Sequence, residues 1–228
     1  MEKLLPHIKI QVNDKIYLKD PESSELGLRI LQEGLVMIHE LGLELFTFKK
    51  LAKKLSTTES SIYRYFENKH KMLIYFINYF WAYIDYQIVF STSHIADPRE
   101  KLREALEIIC DPTYNNLQNA PISIAVLNDL LIAESSKAYL TKEVDEENKA
   151  GFFIAFKAVC KRIVQILQEI AGDHQFLKTL VSTCVEGIMH QQFFARHLPS
   201  LSDFDKNDSS KHRAEVFYQI ITNNLRPA

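Results

Sequence analysis

Two helix-capping threonines, Thr47 and Thr58, leave room between and after them for only short helices, Thr47–Leu55 and Thr58–Phe66, joined by Ser56-Thr57. A threonine hydroxyl satisfies free first-turn N–H groups, so each position predicts a helix start. Helices this short are not stable alone, and their apolar residues must be buried by packing. Leu51, Leu55, Ile62 and Phe66 fall on the inner faces, while the small Ala52 lets the two helices approach closely. The chain is committed to a tight helix-turn-helix at residues 46–66.

The surroundings of this hairpin read as all-helical. Six glycines in 228 residues, with few β-turn dipeptides, favour helices over strands. Asp20-Pro21 predicts the start of a first helix over 21–41, in which Leu26, Ile30, Leu31, Leu35, Ile38 and Leu41 recur at helical spacing until Gly42. Asn68 caps a fourth helix running to about Phe90, and further helices are expected near 99–110, from Pro121 to Tyr139, and at 211–225. The segments of about 150–171 and 174–197 carry broad apolar stripes, and two such antiparallel helices can form half of a four-helix bundle across a two-fold axis. A homodimer through them is expected. Residues 8–18 alternate apolar and polar, which predicts an extended arm or short hairpin. The organisation is therefore an arm at 1–20, a small head at 21–70 and a helical effector-binding and dimerisation body at 71–228.

The formal net charge of −2 hides a local excess. Between Thr47 and Lys71 seven Lys/Arg face two Glu, giving +5 and leaving −7 for the rest. A basic head on an acidic body draws phosphates to one face and keeps them off the other. Short side chains at the start of the second short helix let its backbone enter a major groove, and Tyr, Arg and Lys at its far end can reach phosphates.

This stretch resembles the DNA-binding head of TetR-type bacterial regulators. The resemblance rests on Thr47-Phe48-x-x-Leu51-Ala52, on Ser61-Ile62-Tyr63-Arg64-Tyr65-Phe66, and on Asn68-Lys69-x-x-Met72-Leu73, and it covers residues 25–75. It implies phosphate contacts at Thr47, Tyr63, Tyr65 and Lys69, with Thr58, Glu59, Ser60 and Ser61 facing the bases; Arg64, at the far end of the helix, is the arginine that can reach a phosphate. The implied function is a ligand-responsive repressor that binds a palindromic double-stranded operator as a dimer. An effector-binding or protein-interaction module without operator recognition is the alternative. Two departures bear on it. Ser56-Thr57 stands where the family usually has Gly-Val, so a non-Gly residue must take the turn, and Glu59 puts a carboxylate where phosphates would repel it unless a cytosine amino group donates to it.

The body offers no Gly-rich phosphate loop, nucleophile elbow or paired-carboxylate motif, so neither an enzyme nor a cofactor is expected. Glu186 and His190, four apart with His197 two turns on, could share a face, but such a pair is more often hydrogen-bonded or solvated than metal-bound. Large aromatics either fill a core or line an apolar cavity. The candidates for lining are Trp81, Tyr86, Phe90, Tyr114, Phe153, Phe156 and Phe193. The resemblance implies a small-molecule inducer near the fourth helix, and the aromatic content favours an apolar or aromatic one. Cys110, Cys160 and Cys184 are odd in number and set in apolar stretches, which suits reduced thiols in a cytosol. The amino terminus has no secretory apolar region, and Met72–Phe90 contains Asn78, Asp85 and Gln87, which predicts a packed helix in a cytoplasmic protein rather than a membrane span.

Overall fold

A computed structural model describes residues 10–113 and 120–225, and among them there are helices and turns but no strand. The helices are α1 (Glu25–Leu45), α2 (Phe48–Leu55), α3 (Glu59–Tyr63), α4 (Lys69–Thr92), α5 (Pro98–Cys110), α6 (Ile124–Glu134), α7 (Ser136–Tyr139), α8 (Val144–Lys149), α9 (Ile154–Ala171), α10 (Leu177–His197) and α11 (Ser210–Asn223). Among the described residues, contacts divide them into two compact units, one of residues 10–83 with 120–155 and the other of 84–113 with 156–225. The division does not fall at residue 70. Residues 120–155 belong with the helix-turn-helix because α6 packs along α1, and Gln32 Nε2 donates to the Pro121 carbonyl at 2.9 Å.

In the first unit α1 starts later than its proline suggests. Asp20 and Pro21 form a 3-10 turn over Pro21–Ser23, and Ser24 supplies the cap by accepting from the Gly27 N–H. Gly27 is required there, since a Cβ would lie 2.1 Å from the Pro21 carbonyl oxygen. At the other end Gly42 takes φ +75°, which breaks the helix and turns its last residues. Ile30, Leu31, Leu35 and Ile38 of α1 are buried with Leu51 and Leu55 of α2, Ile62 of α3, and Leu127 and Leu131 of α6. The arm is neither a strand nor a hairpin in its described part. A 3-10 turn at Asp14–Ile16 buries Ile16, Asn13 Nδ2 donates to the Ala150 carbonyl at 3.0 Å, and the Leu18 N–H, lacking a partner strand, donates to the Tyr65 carbonyl at 2.8 Å. The arm is thus strapped across its own unit.

All residues from Met72 to Trp81 are buried, polar Asn78 included, whose side chain donates to the Ile74 carbonyl at 2.9 Å. A helix apolar on every side must be the middle of a core or a membrane span. No helix among the described residues is long and apolar enough to cross a membrane.

The second unit pairs α5 with α11. Leu102, Leu106 and Ile109 bury against Ala214, Phe217 and Ile221, and the Arg103 guanidinium lies 3.8 Å from the centre of the Tyr218 ring while Nε donates to Glu215 at 3.1 Å. α9 and α10 bury Val159, Ile163 and Leu167, and Val181, Val185 and Ile188. Both begin later than the apolar pattern suggests. Gly151 at φ +86° separates the unforeseen α8 from α9, and Phe176 at φ +70° precedes α10. Arg162 holds Asp85 through two hydrogen bonds of 2.7 and 2.9 Å.

Candidate nucleic-acid interface

Thr47 and Thr58 cap α2 and α3 as their positions predict: each hydroxyl accepts a backbone N–H three residues on, from Lys50 at 3.2 Å and from Ser61 at 3.3 Å. The turn between them is closed by Ser56 in the left-handed conformation, φ 53° and ψ 44°, with the Thr57 N–H donating to the Ala52 carbonyl at 2.9 Å. Ser56 does what glycine usually does, at a steric cost of about 1–2 kcal/mol. Thr57 sits half-buried. Arg29 of α1 reaches over to donate to the Leu55 carbonyl at 3.3 Å, fixing α2 from behind.

This frame leaves one outward face. Thr47, Thr58, Glu59, Ser60, Tyr63 and Arg64 are exposed and Ser61 is half-buried, while Ile62 beneath them is sealed. Tyr63 is 48% exposed although its ring rests edge-on against Phe48 with centroids 5.1 Å apart. That packing fixes the ring and leaves much of it in solvent. Lys49, Lys53 and Lys54 on α2 are also exposed, so cations flank the face.

Two of the expected phosphate contacts are differently employed. Tyr65 is only 3% exposed, and its hydroxyl pairs with Ser24 Oγ at 2.7 Å under the Lys19 ammonium, 5.1 Å from the ring centre. It anchors the arm and the start of α1. Lys69 spends its three donors on the carbonyls of Leu43, Glu44 and Phe46, at 2.8, 3.1 and 3.4 Å. The break at Gly42 exposes those carbonyls, and the ammonium closes them off. For Tyr65 the missed signal was Ser24, because the preceding Asp-Pro looked the stronger cap, and for Lys69 it was the helix end made by Gly42.

The described part of this head coincides with a known one. Residues 30–76 match the model of the bacterial regulatory proteins of the tetR family. Over those residues the head is of the TetR type. Three solved structures share its fold along most of the chain. FadR, the fatty acid degradation regulator of Bacillus halodurans, has a TM-score of 0.61 at 14% identity, over 88% of this chain and 96% of that one. AibR in complex with isovaleryl coenzyme A and operator DNA gives 0.54 at 16%, over 84% and 95%. KstR2, the ketosteroid transcriptional regulator of Mycobacterium tuberculosis, gives 0.53 at 14%, over 97% and 100%. No curated protein sequence matches the chain.

Beyond the TetR-type head, the candidate lining aromatics are scattered. In the first unit Trp81 is 2% exposed, edge-on to Phe80, and Phe153 is 7% exposed against Tyr139. In the second, Tyr86 stacks on an exposed Phe90, Phe193 lies 4.7 Å from His197, and Phe156 is half-buried. Tyr114 falls outside the described residues. None of them lines the cavity of about 400 Å³ between the arm and Tyr75, or that of about 480 Å³ beside Arg99 and Tyr218.

Among the described residues no three His, Cys, Asp or Glu side chains are grouped to hold a metal. His190 Nδ1 pairs with the Glu186 carbonyl oxygen at 2.8 Å. Burial pushes the Cys110 thiol up to about 12 and the Cys160 thiol up to about 11, Glu186 adding to the latter.

Proposed function

We propose that the chain is a cytoplasmic, ligand-responsive transcriptional repressor that binds a palindromic operator as a homodimer. The observation that carries the reading is the outward face of α3: short polar side chains at its start, then Tyr63 and Arg64 exposed at its end, on a helix pair in which Phe48, Leu51, Ala52, Leu55 and Ile62 are sealed. Such a face admits backbone to the major groove and gives phosphates something to meet at the far end. Half-exposed apolar side chains on α9 (Phe156, Cys160, Val164, at four-residue spacing) and on α10 (Phe193, Phe194) support these helices as the two-fold interface. The TetR-type relatives named for fatty acid degradation and bound to isovaleryl coenzyme A support an acyl compound as effector, in keeping with the aromatic content of the body.

The test is an electrophoretic shift with the DNA upstream of the chain's own gene, repeated across a salt series. Specific retardation at near-physiological salt is expected. Arg64→Ala should lower the slope of log K against log salt by roughly 1, whereas Tyr65→Phe should leave affinity within about twofold. Salt-sensitive smearing alone, equal for any sequence, would sink operator recognition and favour a module that binds effectors or proteins.

A further inference from the structure

The first turn of α3 carries four polar side chains, and three of them are occupied with one another. Thr58 Oγ1 lies 2.8 Å from Ser60 Oγ and 3.0 Å from Ser61 Oγ, and it accepts the Ser61 N–H. Glu59 is the fourth. It is exposed and makes no hydrogen bond or ion pair with any described residue, although Lys49, Lys53, Lys54 and Arg64 are exposed on the same helix pair. A side-chain carboxylate standing unpaired among cations is poorly suited to a face that meets phosphates, because it only accepts hydrogen bonds and repels the backbone. In the major groove, however, cytosine presents an N4 amino donor, while guanine and thymine present acceptors and adenine mixes the two.

We infer that Glu59 reads a cytosine, its carboxylate accepting from the N4 amino group in the major groove, so that each operator half-site carries a C·G pair of fixed orientation opposite the start of α3. The inference rests on the operator-binding reading above and names the base that reading leaves open. The hydroxyl cluster sharpens it. With Ser60 and Ser61 each bonded to Thr58, which also caps the helix, part of their hydrogen-bonding capacity is spent, and Glu59 is the one charged acceptor at the amino end of α3. Two copies related by a two-fold axis would repeat the preference with inverted orientation in the second half-site.

The experiment is selection of full-chain protein on a randomised duplex library, followed by titration of single-base variants of the selected site. The wild type should enrich C at one position per half-site, with replacement of that base weakening binding about tenfold. Glu59→Gln should move the preference at that position to A, because an amide both donates and accepts along the adenine edge. Glu59→Ala should flatten that position alone. Thermal melting of each variant controls for folding, and little change is expected at so exposed a side chain. If wild type selects a site but Glu59→Ala keeps every base preference, or binds specific and unrelated duplexes more tightly by the same factor, the carboxylate merely repels and the inference fails while operator binding stands. If the wild type selects no sequence at all, both fail.

Discussion

The helix-turn-helix and the first ten residues or so of α4 follow one another in the chain, yet their side chains are constrained in opposite ways. In α2 and α3 buried and exposed positions alternate sharply: Leu51, Ala52, Leu55 and Ile62 are sealed while Lys53, Lys54, Glu59 and Tyr63 face out. Met72–Trp81 has no outward side, since every residue is buried. A mutation in the first region can change recognition while leaving the core intact. In the second, any truncation opens a cavity. On the proposed reading function and stability are thus divided between adjoining segments, and the joint is Lys69.

The largest effect expected is at the centre of the buried run. Phe76 is 0% exposed, and Phe76→Ala should cost about 3–5 kcal/mol of unfolding free energy in a urea titration. Tyr63→Ala, at a ring about half in solvent with an edge contact to Phe48, should cost about 0.5–1.5 kcal/mol. Equal losses at the two positions would erase the contrast. The joint comes next. Lys69→Met keeps the aliphatic stem and removes the ammonium from three carbonyls, so stability should fall by about 1–3 kcal/mol. The salt slope of DNA binding should be unchanged in this variant. A slope lower by roughly 1 would instead assign Lys69 to a phosphate and return it to the recognition face.

Much of the head was legible because its signals are local. Thr47 caps α2, and Thr58 caps α3, through hydroxyls whose reach is set by the chain itself. Tyr65 was misread for the opposite reason: its fate is decided by Ser24 and by the arm, forty residues away in sequence but bonded to it in space. Lys69 likewise answers to a helix end created by Gly42. The packing of α6 on α1 was not legible, because wide apolar stripes say that a helix is buried and not against which neighbour. The aromatics of α4 show the same limit, for neither Trp81 nor Tyr83 carries in its own position any mark of core or cavity.

The smallest effect lies in the turn that makes the head possible. Ser56 holds φ 53° with its N–H bonded to the α2 end, so glycine can replace it without losing a backbone bond. Relief of the left-handed strain is worth about 1–2 kcal/mol, and the extra freedom of glycine in the unfolded chain offsets about 0.5–1 of it. Ser56→Gly should therefore stabilise by about 0.5–1 kcal/mol, which for a chain of this size raises the melting temperature by about 1–4 °C. Ser56→Ala keeps the Cβ and should gain nothing. If glycine lowered the melting temperature, the serine would be contributing more to the rigidity of the turn than its backbone costs. The fixed angle between α2 and α3 would then depend on a polar side chain rather than on the packing of Ala52.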